Sequence, residues 1–232
     1  MRAVSILFFL WIAAVGRAGD FDEANALYDA GKFAEAKQRY ESLAGRGEWS
    51  ANLFYNLGNA AYRSSAPGKA VLNYERALAL DGSHVEARAN LKWLREQTGA
   101  KVPARIWWEY AFPSGAGDVF AVLAVVAFWV GVFAMLWRRS YGWGTMAFLL
   151  AAYAGVAVLR LDRESAVAII IGKDVSAKLA PADRAALAEP LPTGSRVRVL
   201  SERGEWIYCA LPGGGRGWIP EPQLEKVRLK KS

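Results

Sequence analysis

The chain has 232 residues, a formal net charge of +7, a single cysteine (Cys209) and a single histidine (His84). That inventory excludes a disulfide framework, a metal cluster and a histidine-based catalytic triad, and no cofactor is expected. No glycine-rich nucleotide loop is present, and acid pairs such as Asp22 and Glu23 belong to exposed helix starts, so an enzyme is not expected either.

Met1–Ala18 carries one early charge, Arg2, then the apolar run Ala3–Val15, then Gly16-Arg17-Ala18. This is the layout of a secretory signal peptide over 1–18 with a cut after Ala18, an uncleaved anchor being the alternative.

Residues 19–98 contain an internal repeat of period 34: Ala36 falls on Ala70, Tyr40 on Tyr74, Gly31 on Ser65 and Phe33 on Pro67. The run Phe54-Tyr55-Asn56-Leu57-Gly58-Asn59-Ala60-Ala61-Tyr62, followed by Ala70, Tyr74, Ala77 and Leu78, resembles the tetratricopeptide helix pair. Pro67 fits the first turn of its helix, with Ser64 and Ser65 as caps. Gly82 ends that helix by permitting positive φ. A further helix over His84–Thr98, with Val85, Leu91 and Leu94 inward, closes the stack. The resemblance implies a peptide-binding groove lined by Asn25, Tyr28, Asn52, Tyr55, Asn59, Tyr62 and Arg63. Packing between helices is the alternative role for Tyr28 and Tyr62.

Glycines and prolines make 99–118 a short linker, with Trp107 and Trp108 giving it affinity for a membrane surface. Val119–Trp137 and Tyr141–Leu159 are uncharged apolar runs, each about long enough to cross a bilayer as a helix. They predict a transmembrane hairpin over 119–159, with Ala127, Gly131, Ala151 and Gly155 as the small residues along which the two helices pack. Two crossings leave the flanking parts on the same side, and an exported N-terminus makes that side the periplasm of a bacterial inner membrane.

From 164 to 227 the period changes to two. Ala166–Ile171, Arg196–Leu200, Glu205–Leu211 and Gly217–Pro220 read as short strands of a small β-barrel, with a glycine-rich turn between the last two. Leu191-Pro192-Thr193-Gly194, Trp206 and Gly217-Trp218-Ile219-Pro220 resemble the SH3-like domains of bacterial envelope proteins. That resemblance implies partner binding at Trp206, Trp218 and Pro220, with the two tryptophans as barrel filler the alternative. Residues 228–232 form a basic tail.

In this order the parts make a multi-domain membrane protein: an all-α tetratricopeptide repeat domain, a two-helix transmembrane hairpin and an all-β SH3-like barrel. The whole resembles the BatE-type proteins of bacterial aerotolerance operons. The resemblance implies an envelope scaffold or adaptor whose partners are membrane proteins of the von Willebrand factor A type, without nucleic acid. Cell-wall (peptidoglycan) binding through the barrel is the alternative function.

Overall fold

The computed structural model describes residues 19–103 and 167–229, with isolated helical positions between them at 122, 125, 126, 128–130, 132, 133, 145, 149, 152 and 153. The chain divides into two compact units, Met1–Pro103 with Ala168–Ser232, and Ala104–Val167.

In the first unit α1 occupies residues 19–29. It is followed by α2 (Phe33–Gly45), α3 (Ala51–Arg63), α4 (Pro67–Leu80) and α5 (Val85–Thr98). The 34-residue spacing is visible in the backbone. Gly31 and Ser65, one repeat apart, both adopt positive φ (76° and 61°) in the tight turns before α2 and α4. The helices bury small residues at their crossings, Ala24, Ala36, Ala60, Ala70, Ala77 and Ala87, around Tyr40, Leu43, Leu53, Phe54 and Leu57. Alanines there let the axes approach closely enough for the larger side chains to interdigitate.

Local chemistry departs from the expected capping at several points. Pro67 opens α4, but its N-cap is Ala66, which makes no side-chain cap bond; Ser64 instead donates its hydroxyl to the Ala61 carbonyl at 3.1 Å. Helix α4 ends at Leu80, where Asp81 turns extended (φ −135°) and accepts from the Ser83 N–H at 2.8 Å. No positive φ at Gly82 is needed. The left-handed residue is Gly99 (φ 64°), which ends α5. Val85 is 68% exposed rather than inward; Ala87, Leu91 and Leu94 bury the inner face of α5.

The β part is one seven-stranded sheet. Its strands are β1 (Val167–Ile170), β2 (Val175–Lys178), β3 (Leu187–Leu191), β4 (Arg196–Arg203), β5 (Trp206–Ala210), β6 (Arg216–Pro220) and β7 (Leu224–Lys226), in spatial order β3-β2-β6-β5-β4-β1-β7. Alternation on β5 and β6 sends Ile207, Cys209, Gly217 and Ile219 inward and Trp206, Tyr208, Trp218 and Pro220 outward. The inner face joins Ala168, Ile170, Val175, Ala177, Leu191, Val197 and Leu224 in one core. Gly217 is needed on that face because a Cβ there would sit 2.8 Å from the Ala177 methyl.

Helix stack and sheet pack directly on each other within this unit. A Cβ at Gly68 would come within 2.7 Å of Ile171 Cα, so α4 lies against the sheet backbone. Arg76, only 11% exposed, donates to Glu225 Oε1 at 2.8 Å, to the Lys226 carbonyl at 2.9 Å and to the Val227 carbonyl at 3.2 Å. Lys69 also pairs with Glu225. Burial pushes the Glu225 carboxyl up, but the two cations outweigh it and hold the group below the usual carboxylate range. On the far side, Ser195 is fully buried and accepts from the Lys101 N–H at 3.0 Å, while its carbonyl accepts from the Ile170 N–H at 2.9 Å. Residues 99–103 are thus part of the packed unit rather than a free linker, and Leu229, expected in a solvated tail, packs on the helix core.

The membrane part of the expected fold requires correction. A crossing needs roughly 20 apolar residues in helix. Among the described residues no helix is long and apolar enough to cross a membrane; α4 and α5, at 14 residues each, would span only about 21 Å. Among the described residues the fold is a helix stack joined to an antiparallel sheet with no helix of a transmembrane hairpin, which corrects the expected fold class. The two-span inner-membrane location with periplasmic domains is left without a described helix to support it. The signal segment 1–18, Trp107, Trp108 and the packing residues Ala127, Gly131, Ala151 and Gly155 lie outside the described residues.

Candidate functional site

Two identical polar clusters run through the helix stack. The Tyr40 hydroxyl donates to Asn25 Oδ1 at 2.6 Å, and Asn56 Nδ2 donates to the same oxygen at 3.0 Å. One repeat later Tyr74 donates to Asn59 Oδ1 at 2.7 Å and Asn90 to the same atom at 3.1 Å. Each asparagine oxygen has both lone pairs occupied, which fixes its amide orientation. Gly58 makes the second cluster possible, since a Cβ there would lie 2.6 Å from the Tyr74 ring. Burial pushes the Tyr40 hydroxyl up to about 12 and Tyr74 higher still.

Beside the second cluster opens a groove of about 230 Å³ lined by Tyr28, Asn59, Tyr62, Arg63, Tyr74, Asn90, Trp93 and Leu94. Its walls come from α1, α3, α4 and α5. The Tyr62 and Trp93 rings meet edge to face at 5.4 Å and remain 40% and 46% exposed. The Arg63 guanidinium lies over the Phe33 ring at 4.2 Å. Among the described residues it makes no ion pair or hydrogen bond, and no acidic residue lines the groove.

Four of the seven expected groove residues, Tyr28, Asn59, Tyr62 and Arg63, are therefore brought together. The other three are not. Asn25 holds Tyr40 and Asn56, Tyr55 stacks near His84 at 4.9 Å and Tyr74 at 6.1 Å, and Asn52 is exposed outside the lining. Sequence reasoning missed Asn90 and Trp93. The same spacing of 34 would have found both, since Asn56 leads to Asn90 and Asn59 leads to Trp93, where a ring replaces the amide.

On the sheet, the ladder puts Trp206 opposite Pro220 and Tyr208 opposite Trp218, whose rings are 4.8 Å apart. Lys178 Nζ lies 5.1 Å over the Trp206 ring. These residues occupy the outer face, half-buried, while the core is aliphatic, so the two tryptophans are not barrel filler.

Two comparisons bear on these surfaces. No known family model matches the chain, so the tetratricopeptide and SH3-like assignments gain no support as family memberships. Over 88 residues, 38% of this chain, it is 40% identical to the probable biofilm formation methyltransferase WspC of Pseudomonas aeruginosa. The matched stretch is 21% of that protein's length. This likeness to an enzyme overturns the expectation, drawn from missing motifs alone, that an enzyme can be excluded.

Proposed function

We propose that the helical groove docks a segment of a partner protein and that the chain works as an adaptor, with the outer face of the sheet as a second contact. The observation that carries this reading is the Tyr62–Trp93 pair, two large rings left in solvent beside a groove with hydrogen-bonding amides. Exposed aromatic rings next to a cation are the residue types that dominate protein interfaces. Two modest contacts on one packed unit reinforce each other through effective concentration. The resemblance to BatE-type proteins makes von Willebrand factor A-type proteins the first partners to test. Titration of the full chain with such a protein should lose about tenfold or more in affinity when Tyr62→Ala and Trp93→Ala are combined. Unchanged affinity would remove the groove from the reading.

The row Trp206, Tyr208 and Trp218 supports a second reading, cell-wall polymer as the ligand of the sheet. Co-sedimentation of the full chain with purified peptidoglycan, weakened by Trp218→Ala, is its test. The similarity to WspC supports a third, participation in methyl transfer, for which transfer from a labelled methyl donor to the candidate partner is the assay.

A further inference from the structure

The charge and geometry of the groove narrow its ligand, on the premise that the groove docks a peptide as proposed above. The Arg63 guanidinium carbon lies 4.2 Å over the Phe33 ring, a contact that uses none of its N–H groups as hydrogen-bond donors. Nothing else among the described residues takes those donors. Asn59 offers a second donor in the same groove: its oxygen is saturated by Tyr74 and Asn90, so its amide nitrogen is the group left for a ligand. One planar cation and one amide N–H, with no acid in the lining, complement a carboxylate, and the Tyr62–Trp93 wall beside them suits a large apolar neighbour.

We infer that the groove recognises an acidic side chain, aspartate or glutamate, within an extended segment that also carries a bulky apolar residue. A side chain is favoured over a chain terminus by position. Arg63 and Asn59 lie on α3, and the groove continues to Tyr28 on α1 on one side and to Trp93 on α5 on the other. With axes about 8–10 Å apart, there is wall for several residues in both directions.

The test uses the full chain and arrays of end-blocked peptides that differ only in glutamate or glutamine at the central position, with phenylalanine nearby, and a third array with a free C-terminus and no acidic side chain. The expected result is binding about tenfold tighter for glutamate than for glutamine. Arg63→Gln should abolish that preference, with the loss falling on the glutamate peptides and bringing them to the level of the glutamine peptides. Arg63 is exposed, so this variant should lose no more stability than its contact with the Phe33 ring contributes, and Arg63→Lys should restore part of the preference. Equal binding of the two blocked arrays would overturn the acidic-residue inference and leave the docking role standing. Tighter binding of the free-terminus array would overturn the choice of a side chain. Absence of binding by all three arrays would remove the docking role and this inference together.

Discussion

Arg76 and Glu225, 149 residues apart in the chain, are joined by a charged hydrogen bond of 2.8 Å. Because Arg76 also holds the Lys226 and Val227 carbonyls, Arg76→Ala removes three bonds at once and leaves two carbonyls to find water. We expect a loss of about 2 kcal/mol, the range for charged hydrogen bonds that are only partly solvated. Denaturant unfolding of the full chain measures it, and a midpoint equal to the parent's would show that the seam contributes nothing.

The same carboxylate gives the seam an acid limit. Glu225 titrates below its ordinary value when folded, so its contribution is complete above about pH 4.5 and is lost as pH falls through the lowered value. Glu225→Gln should flatten the stability profile in that acid range and lower stability at neutral pH. A profile with the parent's acid slope would assign the slope to other groups.

At the alkaline end the signs reverse. Tyr40 and Tyr74 stay protonated in the folded chain above the ordinary tyrosine value of 10, Tyr40 to about 12. Their contribution is complete below pH 10 and declines as pH rises from there toward the folded values. Tyr40→Phe and Tyr74→Phe should each cost about 1 kcal/mol at neutral pH and each reduce the alkaline decline. Ultraviolet titration of tyrosinate checks it: each variant should lose one late-titrating group relative to the parent.

Two glycine substitutions separate packing within the stack from packing across the seam. Alanine at Gly58 gains about 1 kcal/mol of helix propensity, but its methyl would lie 2.6 Å from a Tyr74 ring held by its own hydroxyl. Overpacking of about 1–3 kcal/mol wins, and net destabilisation is expected. At Gly68 the obstacle is backbone, Ile171 Cα at 2.7 Å and its carbonyl oxygen at 2.8 Å, so the loss should be larger. Gly68→Ala with Arg76→Ala should cost less than the sum of the two, since both open the same seam. Strict additivity would refute that shared origin.

Cys209 tests the sheet core. It is fully buried, and burial pushes its thiol up to about 12. Thiol reagents at neutral pH should label it only as fast as the sheet opens, and fully in denaturant. Labelling at the rate of a free thiol would contradict the packing.

What the sequence made legible was local or periodic. The pairs Ala36/Ala70 and Tyr40/Tyr74 announced a helical repeat because each copy solves the same crossing with the same small residue and the same ring. Trp206 and Trp218 could be set on alternating strands, but which face they took depends on the register of β5 with β6. The strands β2, β3 and β7 were missed because runs such as Val175-Ser176-Ala177-Lys178 are too short to show alternation. The tetratricopeptide resemblance places Asn25 in the groove by position, yet Tyr40 and Asn56 claim its oxygen. The seam left no trace in the pattern, since Arg76, Glu225, Lys101 and Ser195 are unremarkable residues far apart in sequence. The apolar runs at 119–159 invited a lipid solvent on hydropathy alone, and no described helix has the length to match.

Ser195 carries an implication for biosynthesis. A ribosome releases Lys101 long before Ser195, and Arg76 long before the carbonyls of Lys226 and Val227. Nascent α1 to α5 must therefore wait, with the flank of α4 and the Lys101 amide still facing water, until the late strands arrive. That interval is when a chaperone or protease would meet the polypeptide.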